Sequence, residues 1–181
     1  WFKNCNQFIN TNLNGVIINS LSCATGVSLG PYTIRHGVNS YQGYTHNFAF
    51  IACRKLEKNR FIVSDCHCRY DWLCSFHESD AYFIYGLAQG MTANEASNYS
   101  TNRFNEWINH LKYNPIPMDE IIDVIPWFVG TSEEFTQAVI NILESDKSIK
   151  RLFGEKDVTL DNHPVNHNLI LPYIYDKKIN I

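Results

Sequence analysis

Two apolar segments separated by a short charged stretch constrain the fold of the first half of the chain. Residues 46–53 and 60–65 are rich in Phe, Ile, Val and Ala, and most of these are residue types that strands favour. Residues 54–59 between them carry two lysines, an arginine and a glutamate. We therefore predict an antiparallel hairpin over residues 46–65, with a buried sheet behind it.

Two further segments carry the signal of a helix start. Thr92 with Glu95, and Thr131 with Glu134, are Thr-x-x-Glu pairs that precede apolar residues at helical spacing. Such pairs form capping boxes, in which each side chain satisfies an unpaired backbone N–H of the first turn. The helices that the sequence predicts are 5–13, 92–111, 118–125 and 131–143.

Shorter apolar pieces predict one or two strands at 16–18 and 32–34, within a loop-rich stretch, and further strands at 82–85, 169–171 and 173–175. Strands and helices together indicate an α+β fold with an antiparallel sheet packed against helices. The sequence contains no internal repeat, low-complexity segment or linker. We therefore expect residues 1–181 to form a single domain.

Composition narrows the class of protein. Of 181 residues, 45% are hydrophobic and 18% are charged, which is typical of a folded chain. The net charge of −3 is made of mixed signs, so we expect neither nucleic acid nor an anionic membrane as partner. No apolar stretch reaches the ~18 residues that a membrane span needs, and we therefore expect no membrane-spanning segment. The chain starts at Trp1 without a signal-peptide pattern, and we expect a mature fragment or a piece of a longer protein.

Cysteine is the residue type with the clearest chemical potential. Six cysteines in 181 residues fall below the density of a disulfide scaffold, so we expect most to be reduced or buried thiols. A thiol becomes a nucleophile when its thiolate is stabilised, for example at a helix N-terminus or beside an imidazolium. Cys5 follows the capping residue Asn4 and lies in the first turn of the predicted helix 5–13.

The predicted hairpin supplies the other two members of a catalytic triad. His46 is placed at the start of its first strand and Asp65 at the end of its second, and these two ends are neighbours across a hairpin. A carboxylate there would hold one imidazole nitrogen while the other faces sulfur. We therefore predict Cys5, His46 and Asp65 as catalytic residues.

The opening of the chain resembles a known family. Asn4 and Cys5, followed by Thr11, Leu13 and Gly15, are similar to the start of papain-like toxin domains. These modules occur in bacterial toxins and effectors, including the C-terminal glutamine deamidase of Pasteurella-type mitogenic toxins. Viral papain-like leader proteases share the same order of Cys, His and Asp.

The resemblance covers roughly residues 1–75 and implies a papain-like fold with a cysteine hydrolase activity. It implies a glutamine deamidase acting on a protein of the target cell, with a papain-like thiol protease as the alternative. It also implies a secreted protein, or one delivered into the target-cell cytoplasm, with an immunity or chaperone protein as a further partner. Neither reaction requires a cofactor or a metal ion, and we expect none.

Three other interpretations remain open. Cys23, in a Ser-Cys-Ala-Thr-Gly turn, is an alternative nucleophile, as in toxins that carry Cys and His on neighbouring strands. A zinc site would use Cys66, Cys68, Cys74 and His77, although Cys-x-Cys is a poor chelating pair.

The third interpretation is an ADP-ribosyltransferase of the arginine–serine–glutamate type. It would use Arg35 at the end of a strand, Ser132 on another strand, and Glu133 or Glu155. The chain has no Glu-x-Glu motif, and the segment that starts at Thr131 fits a helix cap better than a strand.

Overall fold

The computed structural model describes residues 13–51, 54–57, 60–63 and 70–160, the two short strand segments by their backbone alone. Its strands are β1 (Ile17–Asn19), β2 (Ser40–Tyr44), β3 (Arg54–Glu57), β4 (Arg60–Val63) and β5 (Lys150–Gly154). Its helices are α1 (Leu29–Arg35), α2 (Asp71–Ala88), α3 (Ala93–Tyr113), α4 (Met118–Val124) and α5 (Ser132–Ile149). The fold is therefore α+β, as the sequence predicts.

The main sheet has three strands in the order β1-β2-β5. The central strand β2 runs parallel to β1 and antiparallel to β5, with Tyr44 opposite Lys150. The main sheet is therefore mixed, and the prediction of an antiparallel sheet is wrong for it, because the chain returns from β1 to β2 through the crossover helix α1. All five residues of β2 are buried. Strand β2 therefore lies in the interior, and the chain leaves the core at its end, two residues before His46.

Helices α2, α3 and α5 enclose the main hydrophobic core together with β2. Its fully buried side chains include Phe76 of α2, Phe104 of α3 and Leu143 of α5, together with Tyr44 of β2. Among the described residues, none of the helices is long and apolar enough to cross a lipid bilayer.

The predicted capping boxes are both confirmed. Thr92 accepts from the Glu95 N–H, and the Glu95 carboxylate accepts from the Thr92 N–H at 2.9 Å. Thr131 and Glu134 repeat this arrangement at the start of α5. The short helix α4 is confirmed as well, because it spans Met118–Val124 within the predicted range.

The predicted strand at 82–85 is wrong, and of the two candidate strands at 16–18 and 32–34 only the first corresponds to a strand, β1. Residues 82–85 lie inside α2, whose buried side chains Trp72, Phe76, Phe83 and Leu87 recur at helical spacing. Residues 32–34 lie inside α1. In both cases aromatic and β-branched residues favoured a strand, and packing against the core selected a helix.

The hairpin exists, but with different bounds from those predicted. It consists of β3 and β4, in which Arg54 pairs with Val63 and Glu57 with Arg60, so most of the predicted turn is strand. Residues 47–51 form no regular structure, and His46 lies in a bend after β2. The prediction that His46 begins a hairpin strand is therefore wrong. The apolar residues of this segment pack against helices instead, as buried Phe48 does against the core.

Candidate functional site

His46 lies on the surface where the chain leaves the central strand. Its imidazole is exposed, and the residue before it is tied to the end of α5 by a hydrogen bond from the Thr45 N–H to the Ile149 carbonyl. Its own carbonyl accepts a hydrogen bond of 2.9 Å from the Ala24 N–H. The backbone at His46 is thus fixed from two sides while the side chain remains accessible.

The loop that binds His46 carries an exposed thiol, Cys23. Its Sγ lies 3.8 Å from the Phe48 carbonyl, within reach of a weak S–H donor. The next residue, Ala24, has a φ of 55°, in the left-handed region that residues other than glycine seldom adopt. Strained backbone of this kind is enriched at functional sites. The structure therefore brings the alternative nucleophile of the sequence analysis to the same loop cluster as His46.

A glycine allows the Cys23 loop to approach β2 closely. The Gly26 N–H donates to the Tyr44 carbonyl at 2.8 Å, two residues along from the Ala24–His46 hydrogen bond. A Cβ added to Gly26 would lie 3.0 Å from the carbonyl carbon and oxygen of Tyr44. Any larger residue would therefore press the loop away from the strand that carries His46.

The hydroxyl of Thr45 favours one tautomer of His46. Thr45 Oγ1 lies 3.1 Å from the Ile149 carbonyl and 3.1 Å from His46 Nδ1. A carbonyl can only accept, so the hydroxyl proton is used there and the hydroxyl oxygen is left to accept from Nδ1–H. This arrangement leaves the lone pair of the neutral imidazole on Nε2, where it can act as a base.

The segment after His46 is anchored to α5 by a buried carboxylate. Asp146 Oδ1 accepts a hydrogen bond of 3.0 Å from the Ala49 N–H, and its Oδ2 has no hydrogen-bond partner in the described part of the chain. Burial raises the pKa of Asp146 to about 7, and the hydrogen bond from Ala49 acts in the opposite direction. The anchor therefore changes its ionisation near neutral pH.

Two aromatic side chains of this segment, buried Phe48 and half-exposed Phe50, contact α2. The ring of Phe48 packs edge to face on Tyr44, with centroids 4.8 Å apart, and lies 6.2 Å from His77 of α2. Phe50 contacts the same imidazole at 4.9 Å. These contacts hold residues 48–50 against α2, so the position of the loop that carries His46 is fixed on its C-terminal side.

A buried network of polar side chains connects the main sheet to α2 and α3. Asp80 of α2 accepts hydrogen bonds from Tyr44 at 2.6 Å and from Asn19 at 2.7 Å. Burial raises the pKa of Asp80, and these two hydrogen bonds partly offset that effect. Lys150 donates to Ser100 Oγ at 2.9 Å, and burial lowers its pKa to about 7. The network joins the sheet to α2 and α3 close to the candidate site.

The predicted triad is only partly within the described residues. Cys5 and Asp65 lie outside them, so the triad stays a prediction. The register of the hairpin nevertheless removes the argument that placed His46 beside Asp65, because Arg54 is the first residue of β3 and pairs with Val63. His46 lies eight residues before Arg54 and is therefore not part of the hairpin.

The zinc interpretation is likewise only partly covered. Cys66 and Cys68 lie outside the described residues, whereas Cys74 and His77 both lie on α2. Within residues 13–51, 54–57, 60–63 and 70–160, no group of three or more His, Cys, Asp and Glu side chains is arranged to hold a metal ion.

The ADP-ribosyltransferase interpretation requires Arg35 and Ser132 to lie on strands, and both lie in helices. Arg35 is the last residue of α1, and Ser132 is the first residue of α5, directly after its cap Thr131. Neither side chain therefore has the strand position that this interpretation requires.

Comparisons with protein-family models, curated proteins and solved structures find no match. The candidate site is therefore supported by its geometry alone. Sequence reasoning identified His46 and Cys23 but missed Thr45 and Asp146. Thr45 could have been found as a hydroxyl next to the candidate base, whereas Asp146 gave no signal, because its partner lies 97 residues away.

Proposed function

We propose that this chain is a cysteine-dependent amide hydrolase that acts on a protein substrate, with His46 as its acid and base. One observation carries the proposal: an exposed thiol, Cys23, and an exposed imidazole, His46, lie on loops joined by the Ala24–His46 hydrogen bond. An imidazole beside a thiol is a common means of activating a cysteine nucleophile. Thr45, at Nδ1 of His46, supplies the orienting contact that such a base needs.

Two cysteines compete for the role of nucleophile. The described geometry supports Cys23, while the resemblance to papain-like toxin domains supports Cys5 with Asp65 as the orienting carboxylate, in a papain-like fold. Both versions use His46. A variant of His46 therefore tests the class of enzyme, and variants of the two cysteines assign the nucleophile.

The chemistry is the same for either cysteine. The thiol gives its proton to Nε2 of His46, and the thiolate attacks the carbonyl carbon of an amide. The C–N bond breaks, and the imidazolium returns the proton to the leaving nitrogen. Water, deprotonated by His46, then attacks the thioester, and the C–S bond breaks as sulfur regains a proton. The sum is amide plus water giving carboxylic acid plus ammonia or amine, with no change of oxidation state.

The substrate that we propose is the side chain of a glutamine in a target-cell protein. This choice follows the resemblance around Asn4 and Cys5, in which the papain-like toxin domains include a glutamine deamidase. Peptide cleavage uses the same steps and remains the alternative reaction, since the two differ only in which amide reaches the thiolate.

The test is incubation of the purified chain with target-cell lysate, followed by peptide mapping. Deamidation raises the mass of a peptide by about one dalton and ammonia is released, whereas proteolysis creates new termini. The variants are Cys23→Ala, Cys5→Ala and His46→Ala. Cys74→Ala and His36→Ala are matched controls, because Cys74 lies on α2 and the exposed His36 contacts Tyr32 instead.

We expect His46→Ala to lower the rate of conversion by about 10²- to 10⁴-fold, the usual contribution of a general acid–base. We expect Cys23→Ala to abolish it and both controls to retain it. Loss in Cys5→Ala alone would move the nucleophile to Cys5. Full conversion by both cysteine variants and by His46→Ala would contradict the proposal.

A further inference from the structure

We propose that a cleft formed by α2, α3, α4 and the α3–α4 connection binds an arginine side chain of a protein partner. The cleft has a volume of about 260 Å³ and is lined by Trp72, Trp107, His110, Pro117 and Glu120, among others. It shares no residue with the Cys23–His46 site. The proposal is therefore independent of the proposed hydrolase.

Two indoles and a carboxylate form the part of the cleft that would recognise a cation. Trp72 Nε1 donates a hydrogen bond of 3.0 Å to Glu120 Oε2, which fixes the carboxylate against one wall. This is the one hydrogen bond of Glu120 within the described chain, so Oε1 can accept from a ligand. Trp107 forms another part of the wall, and indole is the ring that attracts cations most strongly.

The charge of the cleft is negative. Asp71 and Glu120 line it, and none of its described lining residues is Lys or Arg. A cation next to the cleft is Arg103, whose guanidinium lies over the Trp107 ring, 5.2 Å from the ring centroid. Arg103 is already paired with Glu78 and Glu106, each at 2.7 Å. It therefore does not neutralise the carboxylates of the cleft.

The size and shape of these groups favour an arginine side chain. Pockets for drug-sized ligands are about 300–1,000 Å³, so this cleft is suited to a smaller group such as one side chain. A guanidinium is planar, stacks on aromatic rings and donates two parallel hydrogen bonds to a carboxylate. An ammonium offers only a point charge, and an apolar side chain would leave Oε1 of Glu120 without a partner. Arginine thus uses both the Glu120 carboxylate and the aromatic wall of the cleft.

The experiment compares two peptides of similar shape, one with a charged guanidinium and one with the neutral urea of citrulline. Acetyl-Ala-Arg-Ala-amide and its citrulline analogue are titrated into the full chain, with binding followed by calorimetry and by tryptophan fluorescence. Glu120→Gln removes the charge but keeps an oxygen that can accept from Trp72, so the wall is preserved. Glu133→Gln is the matched control, because Glu133 is an exposed acid in the first turn of α5 and does not line the cleft.

We expect the arginine peptide to bind about tenfold more tightly than the citrulline peptide at low salt, with the difference shrinking as salt is added. Glu120→Gln should remove this preference and Glu133→Gln should retain it. Equal binding of the two peptides, or no binding of either, would overturn the proposal. A preference that persists in Glu120→Gln would also overturn it, since the cation would then bind elsewhere.

Discussion

The hydroxyl of Tyr44 donates a hydrogen bond of 2.6 Å to Oδ1 of Asp80 in the interior, which links β2 to α2. Tyr44 is fully buried and Asp80 nearly so. Burial raises the pKa of both groups, so the phenol stays protonated as the donor and the contact persists at physiological pH. The link fixes the end of β2, two residues before His46.

Removal of this hydroxyl should destabilise the fold. In Tyr44→Phe the buried Oδ1 of Asp80 loses its donor, and we expect the free energy of unfolding to fall by about 1–3 kcal/mol. Urea denaturation followed by circular dichroism measures the change. Tyr113→Phe is the control, because Tyr113 is 84% exposed and its substitution should stay within about 0.5 kcal/mol. Equal effects of the two substitutions would contradict a structural role for the link.

Asp146 should make stability fall as pH rises. Its pKa is about 7 in the fold and near 3.8 in the unfolded chain, so between these values the folded state holds a proton that the unfolded state has lost. Its contribution is therefore fully present below about pH 4 and is lost as pH rises through 7, with a slope of up to about 1.4 kcal/mol per pH unit.

The measurement is the free energy of unfolding of Asp146→Asn and of the unsubstituted chain from pH 4 to 8. Asparagine keeps an oxygen for the Ala49 N–H but does not titrate, so the variant should gain stability relative to the parent as pH rises. Asp157→Asn serves as control, because Asp157 is exposed and no hydrogen bond holds it in the described structure. A pH dependence that is identical in Asp146→Asn and in the parent would refute this assignment.

The capping box of α5 should contribute measurably to stability. Thr131→Ala removes the acceptor of the Glu134 N–H, and we expect a loss of about 1 kcal/mol, the usual cost of deleting a cap. Thr101→Ala is the matched control, since Thr101 lies inside α3 and, within the part of the chain that the structure describes, its hydroxyl bonds the Ser97 carbonyl alone. That control should change stability little, because alanine favours helix. Thermal denaturation of both variants separates a cap from a general loss of threonine.

Features that depend on neighbouring residues could be predicted from the sequence. The capping boxes of α3 and α5 need only residues three apart, and the short helix α4 ends where Pro126 follows. Pairings across long stretches of chain could not be predicted. Strand β5 exists because it pairs with β2 more than 100 residues away, and its Lys-Arg-Leu-Phe-Gly sequence carries no strand pattern of its own.

The same limit applies to the candidate site. His46 was identified as a candidate base, but its neighbours were assigned from a hairpin that starts eight residues later, at Arg54. The apolar pattern of residues 46–53 suggested a strand, whereas Phe48 packs on Tyr44 and the Ala49 N–H bonds Asp146. Tertiary contacts thus took the place of sheet pairing, and they left His46 beside the Cys23 loop.

Thr45 should control the tautomer of His46 and, through it, the reactivity of the nearby thiol. In Thr45→Val the side chain keeps its shape but loses the oxygen that accepts from Nδ1, so the proton is free to move to Nε2. We expect the labelling of Cys23 by iodoacetamide near neutral pH to slow by about threefold to tenfold, and the hydrolase rate to fall with it. Nitrogen NMR of His46 reads the tautomer directly. Thr45→Ser keeps the hydroxyl and should restore both the tautomer and the rate. A shifted tautomer without any change in labelling or hydrolysis would mean that His46 does not act on Cys23, and would leave Cys5 as the candidate nucleophile.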